Sequence, residues 1–221
     1  MSEPQALIPQ AAPAETPPQR WPWANVFFVS VMIVLPFILF LTVIYRARKQ
    51  EPELPKLGAI PAFEGTERSG EKLTSAELEG KVWVAGFIFT RCMGPCPLLS
   101  QRMAKLQLQF GRNPGFRLVS FTLDPEHDTP EVLKTYANNF GAEPGSWYFV
   151  QLRSWEDVQN LSQTSFHLTA LEDPTAMRAH DPRLVLIDAQ GQMRGAYLVL
   201  DDDSWHKLQQ DLAELLRGQK L

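Results

Sequence analysis

An uncharged, almost wholly apolar run over residues 24–45 divides this 221-residue chain into two unequal parts. Its length suits one crossing of a bilayer, which takes roughly 20 apolar residues in a helix. A secretory signal peptide is the competing interpretation, but the run starts too far from the amino terminus, is too long, and is not followed by a small-residue cleavage site. We therefore predict an uncleaved transmembrane helix over residues 23–46.

The segments on either side of this run differ in character. Residues 1–22 are rich in Pro, Ala and Gln and lack apolar periodicity, which predicts a disordered tail. Residues 47–56 contain two prolines and are predicted to be a linker. Residues 57–221 are long enough to bury a core and are expected to form one folded domain.

Charge is unevenly distributed along the chain. The net charge is −4, yet residues 1–50 carry four basic and two acidic residues, which leaves the remainder at −6. A domain of this charge is not expected to bind nucleic acid. The basic residues directly after the apolar run would, by the positive-inside rule alone, place the domain in the cytoplasm.

Strand and helix patterns alternate through the predicted domain. Near-continuous apolar runs predict buried strands, and apolar spacing of three and four residues predicts helices that pack one face on a sheet. The predicted strands are 81–90, 116–123, 147–152, 183–188 and 193–200, and helices are predicted over 97–110, from Thr129 to about 140, from Ser154, and from Asp203 or Ser204 to 217. This order predicts an α/β sandwich with a mixed central sheet.

The chain has two cysteines, and they lie four positions apart. Cys92 and Cys96 follow a predicted buried strand directly and precede a helix, a usual position for functional groups in open α/β sheets. We expect the helix N-terminus to lower the pKa of Cys96, because the helix dipole stabilises a thiolate there. The pair therefore indicates redox chemistry or binding of a soft metal ion such as Cu(I) or Zn.

Two thiolates are too few ligands for most stable metal sites, so a third is needed. The candidates are His127, His167, His180 and His206. His180 is the best placed, because it lies in a polar loop just before the strand at 183–188, at the expected sheet end. His167 is a reserve candidate, whereas His127 lies in a charged turn and His206 in the first turn of the last helix.

Three segments together resemble the SCO/SenC family: FIFTRCMGPCPLL, VSFTLDPEHDTPEVLKTYA and AHDPRLVLIDAQG. The resemblance covers roughly residues 57–217, and it includes the interval between His180 and Asp188. It implies a thioredoxin-like fold, with Cys92, Cys96 and His180 as ligands of a copper ion. It also implies a single anchor with the domain outside the cytoplasm, in a periplasm or the mitochondrial intermembrane space, against the charge rule.

The resemblance also implies a function, which is to assist metallation of the CuA site of cytochrome c oxidase as a membrane-anchored copper chaperone. The implied partners are the oxidase subunit that carries CuA, other copper chaperones or thioredoxin-like reductants, and the membrane. Whether the chain is an enzyme stays open at this point. Met93, between the cysteines, is interpreted as an apolar filler rather than as a thioether ligand.

Two other functions remain open. Thiol-disulfide exchange on extracytoplasmic cysteine proteins would use Cys92 and Cys96 as a redox pair, and Pro182 stands where thioredoxins carry a cis-proline. A redox-sensing or scaffolding domain without turnover is the other alternative. A peroxiredoxin is disfavoured, because the Thr and Arg arrangement that such a site needs is not found in the sequence.

Overall fold

The computed structural model describes residues 23–49, 54–165 and 182–218. They fall into two units, one ending at Glu53 and one beginning at Leu54. The first contains helix α1 (Trp23–Lys49), which has Pro36 in its interior. Its segment Phe27–Ile44 could cross a membrane, judged by length and composition only.

The second unit is built on one mixed sheet. Its strands are β1 (Gly58–Ala59), β2 (Glu64–Glu67), β3 (Lys72–Thr74), β4 (Val82–Ile88), β5 (Phe116–Thr122), β6 (Trp147–Leu152), β7 (Arg183–Ile187) and β8 (Gln192–Leu198). Within the described residues their order is β1-β8-β7-β4-β5-β6-β2-β3. Strands β4, β5 and β6 run parallel, and the other pairs are antiparallel. The predicted α/β sandwich with a mixed sheet is confirmed.

Strand β4 is the centre of this unit, and all seven of its residues are buried. Because side chains alternate along a strand, its residues contribute in turn to two apolar cores. Val82, Val84 and Ile88 belong to one core and Trp83 and Phe87 to the other. Both sheet faces are therefore covered, as the continuous apolar run predicts.

Helices cover the first of these faces. They are α2 (Cys96–Phe110), α3 (Pro130–Asn139) and α5 (Asp202–Gly218). The opposite face is covered by a 3₁₀ turn (Ser75–Leu78), the short helix α4 (Trp155–Gln159) and a π-helical turn (Asn160–Ser165). The caps of α3 and α4 form as predicted, since Thr129 accepts from the N–H of Val132 and Ser154 from that of Asp157.

The start of α5 differs from the prediction. The side chain of Asp201, at 2.8 Å, accepts the N–H of Ser204, so Asp201 satisfies a donor of the first turn. Ser204 instead accepts from the N–H of Leu198 at 2.9 Å, which ties the helix to the end of β8. The cap proposed at Asp203 or Ser204 is therefore wrong by two to three residues, because the hydroxyl bonds to a strand rather than to its own helix.

The folded unit begins earlier than the sequence suggests. Helix α1 continues to Lys49, and Leu54 is already buried. The carbonyl of Leu54 accepts from the guanidinium of Arg194, which also pairs with Asp188 at 2.7 Å. Helix α1 thus occupies the start of the expected linker, residues 47–56, and the folded unit occupies its end. The second of these follows because Arg194 binds the carbonyl of Leu54.

Candidate metal centre

Both cysteines lie at the sheet edge where the parallel strands end. Strand β4 stops at Ile88, and after a short loop Cys96 begins α2, with Pro97 in its first turn. The loop is held to the strand end by a hydrogen bond from the N–H of Cys92 to the carbonyl of Phe89, at 3.1 Å. The predicted position of the pair, between a buried strand and a helix start, is confirmed.

The two thiols are adjacent but not joined by a disulfide. Their side chains form a hydrogen bond with each other. Cys92 is half-buried, whereas Cys96 is only 1% exposed and belongs to the core beneath α2. Cys92 is thus partly accessible to solvent, whereas Cys96 lies in the core. This arrangement suits either metal binding or disulfide formation.

The predicted lowering of the Cys96 pKa is wrong. Burial raises the pKa of this thiol well above its usual range, and the hydrogen bond with Cys92 raises it further. The helix N-terminus favours a thiolate, but loss of hydration in the core disfavours the charged form more strongly. Cys96 is therefore a protonated thiol in the metal-free protein, and a bound cation would have to displace its proton.

Asp128 fixes the loop that leads to the cysteines. Its carboxylate is fully buried and accepts from the N–H and hydroxyl of Thr90, at 3.0 and 2.5 Å, and from the hydroxyl of Thr122 at 2.6 Å. Thr90 precedes Cys92 by two residues, so Asp128 determines where the cysteine loop leaves the sheet. The sequence predicts a charged turn at His127 and a helix from Thr129, and it gives no signal of this role for Asp128.

His127 lies beside Asp128 rather than beside a cysteine. Its Nδ1 is 3.0 Å from an oxygen of Asp128, and the imidazole is 40% exposed. Asp124, His127 and Asp128 could together offer ligand atoms to a metal ion. However, Asp124 already pairs with Arg91 at 2.5 Å, and Asp128 accepts from two threonines. This cluster is therefore explained as a structural network.

The other three histidines are distributed as follows. His206 is exposed on α5, and among the described residues it belongs to no cluster of possible metal ligands with the cysteines. His180 and the reserve candidate His167 lie outside the described residues. So does Asp181, and the hypothesis of a cis-proline concerns the peptide bond between Asp181 and Pro182. The expectation that His180 completes a three-ligand centre therefore stays a prediction.

The strand that follows His180 does begin at the cysteine edge. Strand β7 pairs antiparallel with β4, with Leu184 opposite Gly86, so Arg183 starts where β4 ends. Pro182 is buried, and its carbonyl accepts from the N–H of Val199 at 2.9 Å. The chain thus enters β7 at the sheet edge from which the cysteine loop departs.

A buried tyrosine lies close to the cysteines and was not anticipated from the sequence. The hydroxyl of Tyr136, on α3, is 3.0 Å from that of Ser100, one helical turn after Cys96. Burial raises the pKa of Tyr136 to about 12 against the opposing effect of its hydrogen bond with Ser100, and negative charge on either cysteine sulfur would raise this pKa further. The phenol of Tyr136 is thus an uncharged group beside the cysteine site at neutral pH.

Met93 does not pack against the core. Its side chain is 100% exposed at the tip of the cysteine loop. The interpretation of Met93 as an apolar filler is therefore wrong. The following Gly94 lies close over the first cysteine, since a Cβ on it would be 3.9 Å from the Sγ of Cys92.

The sequence model of the SCO1/SenC family matches residues 52–217 of this chain. The chain belongs to the SCO1/SenC family. The match covers the whole sheet, α2, α3 and all but the last residue of α5, together with both cysteines and all four histidines. The resemblance inferred from three sequence segments is confirmed.

Two SCO1/SenC-like relatives show how far the similarity extends. The SCO1 protein homolog of Bacillus subtilis (strain 168) is 32% identical over 108 residues, which cover 48% of this chain and 56% of that protein. The second relative is from Stutzerimonas stutzeri and is named as a copper-binding protein. It is 30% identical over 151 residues, which cover 64% of this chain and 70% of the relative. The match thus spans little more than half of the first relative.

A solved SCO1/SenC structure shows the same fold. BsSco, described as a member of the Sco family of cytochrome c oxidase assembly proteins with a disulfide switch, is 25% identical and superposes with a TM-score of 0.66. The superposition covers 75% of this chain and 98% of BsSco. The predicted thioredoxin-like fold is confirmed.

Proposed function

We propose that this chain is a membrane-anchored copper chaperone that assists metallation of the CuA site of cytochrome c oxidase. The observation that carries the proposal is the adjacency of the Cys92 and Cys96 thiols at the sheet edge where β7 begins, in a chain of the SCO1/SenC family. The third proposed ligand is His180, which precedes β7 by three residues.

The donor set suits Cu(I). Thiolates are soft ligands that prefer Cu(I) to hard cations, and an imidazole nitrogen is a suitable third donor. The core beneath Cys96 and the neutral hydroxyl of Tyr136 would limit access of water to the metal from one side. Binding would release the thiol protons, so uptake should become weaker as the pH falls.

The remaining parts of the proposal concern location and partners. Helix α1 would be the anchor, and the domain would lie in a bacterial periplasm or a mitochondrial intermembrane space. The recipient would be the oxidase subunit that carries CuA, and the donors would be other copper chaperones. Thioredoxin-like reductants would keep Cys92 and Cys96 reduced, because only the dithiol can bind the metal.

Thiol-disulfide exchange on extracytoplasmic proteins is the second candidate. It is favoured by the unequal exposure of the two hydrogen-bonded thiols, since a half-exposed Cys92 could attack a substrate disulfide and a buried Cys96 could resolve the mixed disulfide. The two functions use the same sulfurs, but only copper binding requires the imidazole of His180.

Anaerobic titration of the detergent-solubilised full chain with Cu(I) tests the first proposal. Wild type should bind one Cu(I) per chain, and His180→Ala should weaken binding by at least about tenfold, or roughly 1.4 kcal/mol. His206→Ala, which alters an exposed histidine on α5, is the matched control and should bind as wild type does. Equal affinity of the His180 variant and wild type, with disulfide exchange intact, would favour the second candidate.

A further inference from the structure

Three sulfur atoms at the cysteine loop form a series of decreasing exposure. Met93 is 100% exposed, Cys92 is half-buried, and Cys96 is 1% exposed. Cys92 and Met93 are neighbours in the chain, so their Cα atoms are about 3.8 Å apart. Cys92 and Cys96 are linked by a hydrogen bond. The loop therefore carries three sulfur-containing side chains at three levels of burial, from solvent to the core.

Packing does not explain the position of Met93. In the folded unit that begins at Leu54, it is the most exposed large apolar side chain among the described residues, ahead of Leu108 at 83%. An exposed methionine gains nothing from burial, so packing gives no reason for an apolar side chain at this position. The thioether sulfur is the chemical property that distinguishes this side chain from the polar residues usual at a loop tip.

The backbone of the loop that carries Met93 is held at both ends. Its start is held by the hydrogen bond from the N–H of Cys92 to Phe89, and its end by the bond from the N–H of Leu99 to the carbonyl of Pro95, at 3.0 Å. Gly94 brings the backbone over the Sγ of Cys92. Met93 therefore lies on a short loop whose two ends are fixed, next in sequence to Cys92, and its side chain is in solvent.

We propose that Met93 is an entry ligand that captures Cu(I) from a donor and passes it to Cys92 and Cys96. This inference rests on the proposed copper function and adds a residue that governs the rate of loading. A bond forms between Cu(I) and the Met93 sulfur as a donor ligand leaves. Thiolate bonds from Cys92 and then Cys96 replace it, and the two thiol protons go to solvent. Copper stays Cu(I) throughout, so the step needs no oxidant or reductant.

The test is a stopped-flow measurement of Cu(I) uptake from its bicinchoninate complex, anaerobically, by the full chain in detergent. Met93→Leu keeps the size and apolar character of the side chain and removes only the sulfur. We expect its second-order uptake rate to fall by at least about fivefold, as expected when a ligand of the entry step is lost. Its equilibrium affinity should stay within about twofold of wild type, because Met93 is absent from the final ligand set.

A matched control separates ligation from apolar contact. Leu200→Ala removes a 61%-exposed apolar side chain that follows β8, and it should leave the uptake rate unchanged. Thiol counting with a disulfide reagent and circular dichroism verify that each variant is folded and carries two reactive thiols. Restored uptake by Met93→Leu in the presence of added N-acetylmethionine methyl ester would give further support to a thioether role.

The outcomes distinguish the inference from the function on which it rests. A Met93→Leu rate equal to that of wild type overturns the entry role and leaves the copper function standing. A parallel loss of affinity and rate also overturns it, because Met93 would then be a permanent ligand. Failure of the wild-type chain to bind Cu(I) at all overturns the proposed function and the entry role together.

Discussion

Asp128 accepts hydrogen bonds from both the backbone N–H and the hydroxyl of Thr90, although 38 residues separate the two in sequence. Since Thr90 lies two residues before Cys92, this contact joins the DPEHDTP turn to the loop that carries the cysteines. The same carboxylate binds Thr122 at the end of β5. One buried side chain thereby holds the ends of two central strands.

Asp128→Asn should destabilise the folded unit. The amide N–H₂ of asparagine would face the donors of Thr90 and Thr122, so buried groups would be left without a hydrogen-bond partner. We expect the free energy of unfolding to fall by about 2–4 kcal/mol. Denaturant unfolding followed by tryptophan fluorescence measures the change. Glu126→Gln, in an exposed position of the same turn, is the control and should unfold as wild type does. A wild-type midpoint for Asp128→Asn would contradict the assigned role.

Alkylation should distinguish the two cysteines. With iodoacetamide, Cys92 should react first, because it is half-exposed whereas Cys96 is buried. Because burial raises the pKa of Cys96, its thiolate fraction should increase about tenfold per pH unit across the neutral and mildly alkaline range, and its reactivity should follow.

Mass spectrometry of Cys92→Ser and Cys96→Ser after timed alkylation measures each thiol separately. Rapid modification of Cys96 at neutral pH, without such a rise, would show that its thiolate is stabilised rather than suppressed. That result would restore the prediction based on the helix N-terminus alone.

Tyr136 should make stability fall at alkaline pH. Its pKa is raised from the ordinary value near 10 to about 12, so the unfolded chain loses this proton first as the pH rises. The stabilising contribution is therefore complete below about pH 10 and is lost between about pH 10 and 12. Tyr197, whose pKa is also raised by burial, acts in the same direction.

Tyr136→Phe should reduce this alkaline loss of stability. At neutral pH it should cost about 1 kcal/mol, because the buried hydroxyl of Ser100 loses its partner. Urea midpoints measured at pH 7, 9 and 11 check both effects, and Tyr148→Phe, at a half-buried position on β6, is the control. An unchanged pH dependence in Tyr136→Phe would contradict the assignment to this phenol.

Arg194→Met should destabilise the folded unit more than any of these changes. It would leave the carboxylate of Asp188 buried without its ion pair and would release the carbonyl of Leu54, at an expected cost of about 3–5 kcal/mol. Arg153→Met is the control, since Arg153 is exposed and pairs with Asp157 at the surface. Chemical denaturation measures both, and equal midpoints for the two variants would show that the buried pair contributes little.

The central fold was predictable because its signals are local. The apolar run of β4 and the caps at Thr129 and Ser154 are visible in consecutive residues, and so is the position of Cys96 at a helix start. The pKa of Cys96 was mispredicted for the same reason. The helix N-terminus is a local feature, whereas the burial that outweighs it comes from residues distant in the chain.

Other features depend on contacts between distant segments. The DPEHDTP turn was recognised, but its bond to Thr90 requires that β4 and β5 be neighbours in register. Leu54 lies in a segment whose prolines predict a linker, but Arg194, 140 positions later, binds its carbonyl. Such pairings follow from the completed sheet and have no signature within a short stretch of sequence.

The bonds from Arg194 to Leu54 also show that the chain enters the folded unit far from the cysteine loop. The polypeptide enters at the sheet edge where β7 ends and β4 begins, and the sulfur atoms are at the edge where β4 ends. Arg194 therefore holds the first residues of the folded unit at one end of β4, and the loop that carries Cys92 follows the other end, seven strand residues away. A displacement of the chain at Leu54 would thus meet the guanidinium of Arg194 and the length of β4 before it reached the cysteines.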